Sequence, residues 1–204
     1  MNSTITQTPE RTTLTPRPVL LRIRNIAIRA IFTAIGTLLI FYFSLVLTSR
    51  QLEPKDQQAV DRAIALLGER GFAGDAAVLR NFATFRSSDN WLNRAFTTEN
   101  AFAATNFPFG VVTLYPDFFE RADDDLERAM ILLHEARHLQ GRDERSAYTY
   151  VWNGRNQLGW TQQAYGTTPA YISIELQTRE TVPELFSCSA NLWHDCTEGL
   201  RAKR

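Results

Sequence analysis

The sequence predicts a small, mostly helical α+β domain behind one N-terminal membrane-spanning helix. Three observations carry that expectation: an uncharged apolar run near the N-terminus, several segments whose apolar residues recur at the helical period, and one short β-branched and aromatic segment between chain breakers. A chain of 204 residues has room for one domain of ordinary size beside such a helix. With 44% hydrophobic and 22% charged residues it has the composition of a folding chain, which excludes collagen, a coiled-coil rod and wholesale disorder.

The run at residues 30–47, AIFTAIGTLLIFYFSLVL, is eighteen positions without a charge. As a helix it reaches roughly 27 Å, the length of a membrane span. A core helix of a soluble protein would carry a polar stripe, whereas this run has only scattered Thr33, Gly36, Thr37 and Ser44. Arg29 sits at its start, where a long side chain can snorkel to the headgroups. Five arginines precede the run, and the basic residues after it are sparser and mixed with acids, so the N-terminus is expected in the cytoplasm. The exit LVLTSRQ lacks a small-residue cleavage site, which favours an uncleaved signal anchor. The expected organisation is a disordered cytoplasmic tail over residues 1–25, a transmembrane signal anchor over 26–48 and an extracytoplasmic domain over 51–204.

Charge divides the same way. Residues 1–50 hold six Arg against the single acid Glu10, a net of +5, while residues 51–204 hold 16 basic and 21 acidic side chains, a net of −5. A domain of that sign offers no footprint to a phosphate backbone, so nucleic acid is not an expected partner. Cys188 and Cys196 are the chain's two cysteines, and an even count in a translocated domain predicts one disulfide, with two unrelated core thiols as the competing reading.

Within the outer domain, Pro54 suits a first helical turn, and Ala59, Val60, Ala63, Ile64 and Leu67 recur at helical spacing until Gly68 and Gly71. Asp75 is placed to cap a second helix with Val78, Leu79, Phe82 and Phe85 inward. After an aromatic-rich stretch, residues 110–116, GVVTLYP, read as a strand. The acids Asp123, Asp124 and Asp125 open a strong helix, with Asp124 and Glu127 as a capping box and Gly141 as its stop. Ala129, Met130, Leu132, Leu133, Ala136 and Leu139 give that helix a wide apolar face. Further helices are expected over residues 143–156 and 170–181, and Trp152, Trp160 and Trp193 are read as packing residues.

The central helix carries His134-Glu135-Ala136-Arg137-His138, an H-E-x-x-H motif. Residues four apart share one helix face, so both imidazoles can take two corners of a zinc tetrahedron. Glu135 points aside, near enough to take a proton from water at the metal. The third ligand is expected to be Glu144, six residues past His138 and beyond Gly141. Asp143 is its neighbouring competitor, and His194, paired with Asp195, a distant one. Tyr148 and Tyr150 are candidate hydrogen-bond donors to an oxyanion, or core aromatics.

These residues resemble the zincin metallopeptidases. HEARHLQGRDE, residues 134–144, fits the metzincin spacing H-E-x-x-H-x-x-G-x-x-E, with Glu in place of that clan's usual His; Met130 is the last methionine, so its Met-turn is absent. Glu144 followed by Ala147 is similar to the gluzincins, and Arg137 stands where zincins commonly carry a small or apolar residue. The resemblance implies a zincin-like domain in which Zn2+ is held by His134, His138 and Glu144, Glu135 is the general base, and an edge strand lines a cleft for a peptide or protein substrate. Two other readings stay open. One is a membrane-tethered binding or assembly protein that keeps this scaffold without turnover. The other is a purely structural zinc closed by a fourth ligand such as His194 or Asp143.

Overall fold

A computed structural model describes residues 17–95, 101–187 and 195–197. The chain divides into two units, Met1–Phe41 and Tyr42–Arg204. One long helix, α1 (Arg17–Leu47), begins in the first and ends in the second. Its stretch Leu21–Leu47 is long and apolar enough to cross a membrane, and only 6% of its most apolar window is buried. A buried core helix would show the reverse. Ile26, Phe32, Leu38 and Ile40 all stand exposed.

The second unit is mostly helical with one small sheet. It contains α2 (Pro54–Glu69), α3 (Ala73–Phe82), β1 (Thr84–Arg86), α4 (Trp91–Ala95), β2 (Ala103–Asn106), β3 (Val111–Leu114), α5 (Pro116–Glu120), α6 (Asp125–Leu139), α7 (Glu144–Leu158), α8 (Gln162–Tyr165) and α9 (Pro169–Thr181), then a 3-10 turn, Pro183–Phe186. The strand order is β1-β3-β2. β1 runs parallel to β3, with Phe85 opposite Val112, and β2 runs antiparallel to it, from Ala103 opposite Leu114 to Asn106 opposite Val111. The outer edge of β1 is covered by a bridge from Gln51 to Arg86 and by the amide of Ser87 donating to the Arg50 carbonyl at 2.9 Å. The outer edge of β2 has no strand partner among the described residues.

Helix α6 is the centre of the core. Ala129, Met130, Leu132, Leu133 and Ala136 are fully buried, and α6 packs against α2, α3, α7 and β2. Gly154 lets α7 approach: a Cβ there would sit 3.0 Å from the Phe72 ring and 3.9 Å from Leu133. Trp152 of α7, Tyr171 of α9, Trp160 and Phe186 form an aromatic cluster, the packing role expected of the two tryptophans; Trp193 lies outside the described residues. The Asp124 carboxylate accepts from the amides of Leu126 and Glu127, both at 2.9 Å. The return arm, the buried Glu127 carboxylate, accepts from Asp123, one residue outside the cap.

Three local expectations shift. Asp75 does not cap α3: the helix starts at Ala73, and the Asp75 side chain is buried against Gln140 and Tyr150. Phe82 is exposed and Phe85 moves into β1, because the chain turns extended at Ala83 and the helical period stops there. The aromatic-rich stretch contains a strand, β2, whose sequence AATN carries no strand pattern and which forms through its pairing with β3. Cys196 is disulfide-bonded; Cys188 and His194 lie outside the described residues.

Candidate metal centre

His134 and His138 occupy the last two turns of α6, and Glu144 is the first residue of α7. The chain reverses between them at Gly141, whose φ of +72° is open to glycine at little cost. A Cβ at Gly141 would also press on the Phe107 ring at 3.2 Å. Asp143 caps α7 by accepting from the Ser146 amide at 2.9 Å. That bond turns Glu144 back toward the two imidazoles.

The three side chains converge. His134 Nε2 lies 3.1 Å from Glu144 Oε2 and 2.9 Å from His138 Nε2, and His138 Nε2 lies 3.4 Å from Glu144 Oε1. Zinc bonds of ~2.0–2.1 Å imply a spacing of roughly 3.3 Å between tetrahedral ligand atoms, which these separations bracket. His138 Nδ1 is 2.9 Å from the Arg142 carbonyl. A carbonyl only accepts, so Nδ1 carries a proton and Nε2 is turned to the cluster, the outer-sphere arrangement that orients ligating histidines. The donor set therefore fits a zinc ion. Among the described residues it comprises three side chains that could hold a metal ion; Asp143 stays outside it as a helix cap.

Electrostatics join the three groups. Burial works against a charge on His138, but Glu144, Glu135 and the Arg142 carbonyl outweigh it and hold its pKa at about 9. The hydrogen bonds from His134 and His138 pull Glu144 well below the usual carboxylate range. Burial, with Glu144, Glu135 and Glu180 adding to it, pushes the Tyr148 phenol above its ordinary value, so it remains a donor. Its hydroxyl donates to Gln177, and its ring lies 4.4 Å from that of His134.

Glu135 is 4% exposed. Its Oε2 accepts a 2.7 Å hydrogen bond from the Thr105 hydroxyl on β2. No pattern in the sequence marks Thr105; the nearest pointer is Gly110, which predicts the start of β3 but not the strand folded back against it. The group lines a cavity of about 610 Å³ whose walls include residues 101–105, Phe107, Tyr148, Ile174 and Gln177. The other two singled-out residues face elsewhere. Tyr150 donates to Asp75 at 2.9 Å, and Arg137 stacks over its ring at 4.2 Å while donating to Gln140. Arg137 thus ties α6 to its neighbours outside the cleft wall.

Comparison with known proteins adds no relative: no family model matches the chain, and neither a curated protein nor a solved structure does.

Proposed function

We propose that this chain is a membrane-anchored zinc metallopeptidase that hydrolyses peptide bonds outside the cytoplasm. The observation that carries the reading is the convergence of His134, His138 and Glu144 beside the buried carboxylate of Glu135 on one cleft wall. His134 and His138 would hold zinc through Nε2, and Glu144 through a carboxylate oxygen. When bound, zinc supplies a Lewis acid that polarises a carbonyl and acidifies water. Glu135 takes a proton from the attacking water and returns it to the departing amine. Thr105 fixes one oxygen of that carboxylate, leaving the other to move the proton. The edge of β2 that has no strand partner among the described residues offers main-chain donors and acceptors to an extended peptide. Residues 26–48 serve as the anchor, with the N-terminus in the cytoplasm, and Cys188 is the partner of Cys196.

The test measures zinc content after dialysis, and hydrolysis of a peptide panel, on the purified full chain and two variants. The parent should hold one zinc and cleave peptides. Glu135→Gln should keep zinc and lose about 10²-fold or more of the hydrolysis, the scale of a general-base contribution. Glu144→Ala should lose both. A parent that binds no zinc, or hydrolysis untouched in Glu135→Gln, would overturn the reading. Zinc binding without any hydrolysis would assign the chain instead to binding or assembly on the same scaffold.

A further inference from the structure

The apolar stretch Leu21–Leu47 has 27 residues, about 40 Å as a helix, while a bilayer core is ~30 Å thick. Its last six residues, 42–47, belong to the second unit, and Leu45 is fully buried there. The Tyr42 hydroxyl hydrogen-bonds Thr84 at 3.1 Å. Arg86, itself buried, donates to the carbonyls of Val46 and Ser49, and Arg94 donates to that of Thr48 at 2.7 Å. The Val46 carbonyl lies in the last turn of the helix, where it has no intrahelical partner, and Thr48 and Ser49 follow directly. Residues 42–47 of the helix are therefore packed into the second unit. Without those six residues the stretch is 21 long, about 31 Å, which matches the hydrocarbon.

Around this helix end lies a rim of interfacial composition. Phe43 is 54% exposed, Leu47 81% and Trp91 40%. The Trp91 indole donates to Ser44 at 3.0 Å, which holds it beside the helix. Arg50 and Arg94 are exposed on the same rim. Aromatic rings with a polar tip, apolar side chains and arginines together are what a headgroup layer accepts.

We infer that this rim, formed by Phe43, Leu47 and Trp91 with Arg50 and Arg94, rests in the phospholipid headgroup layer. The inference depends on the membrane anchor proposed above and not on the metal centre.

The experiment uses the full chain in nanodiscs of phosphatidylcholine brominated either near the headgroup or deep in the acyl chain, with tryptophan emission as readout. Trp152 and Trp160 are fully buried, and comparison with Trp91→Phe isolates the Trp91 signal. Shallow bromines should quench a component that Trp91→Phe lacks, and deep bromines should quench it less. Leu47→Trp in the Trp91→Phe background puts a second reporter on an exposed position of the rim and should restore the loss. Equal quenching in the parent and Trp91→Phe, with no gain from Leu47→Trp, overturns the inference while leaving the anchor in place. A chain extracted from membranes by alkaline carbonate overturns both.

Discussion

Thr105 joins the hydroxyl of a four-residue strand to a carboxylate thirty positions away, and that bond decides how Glu135 presents its oxygens. A hydrogen bond to a charged group contributes about 1.5–3 kcal/mol, and ~1.4 kcal/mol is tenfold in rate. Thr105→Val should therefore keep zinc and lower peptide turnover roughly tenfold or more, and Thr105→Ser should restore it. Steady-state kinetics beside metal analysis checks this; unchanged kcat in Thr105→Val would remove Thr105 from the site. His134, Glu135 and His138 are legible in the sequence because their geometry is local, one helical turn fixing both imidazoles. Thr105 is not, since only tertiary folding sets strand β2 beside α6. The outward bonding of Arg137 is equally hidden, because its partners Asp75 and Tyr150 come from two other helices.

Helix α6 holds the histidines because both its ends are fixed. At the start, Asp124 accepts from two backbone amides and also from the Tyr165 hydroxyl at 2.7 Å. Asp124→Ala should cost about 1–2 kcal/mol, the scale of a lost N-cap, read as a lower melting temperature in detergent. Zinc stoichiometry should not change, since the cap lies at the opposite end from His138. Loss of zinc with unchanged melting would contradict this division of roles. The long helices α2, α6, α7 and α9 are readable from period and caps. Apart from β3, whose β-branched run between Gly110 and Pro116 marks it, the short elements β1, α4, β2, α5 and α8 show no period and are shaped by what they pair with or pack on. Asp75 shows the limit of cap reading: an acid in a first turn, spent on a neighbouring helix.

At the scale of the whole chain, the opposed charges of its two parts predict orientation. A reporter active only outside the cytoplasm, fused after Arg204, should be active. Replacing Arg22, Arg24 and Arg29 with Gln should reduce that activity, and strong activity from a cytoplasm-dependent reporter at the same site would reverse the topology. The sheet has a consequence of another kind. Cross-β growth needs two free edges on every unit, since each added strand must template the next. Among the described residues, one side is covered by Gln51 and the Arg50 carbonyl, and the edge of β2 has no strand partner. Edge-to-edge association through β2 would stop at a closed pair. The folded molecule is thus a chain terminator for its own polymerisation.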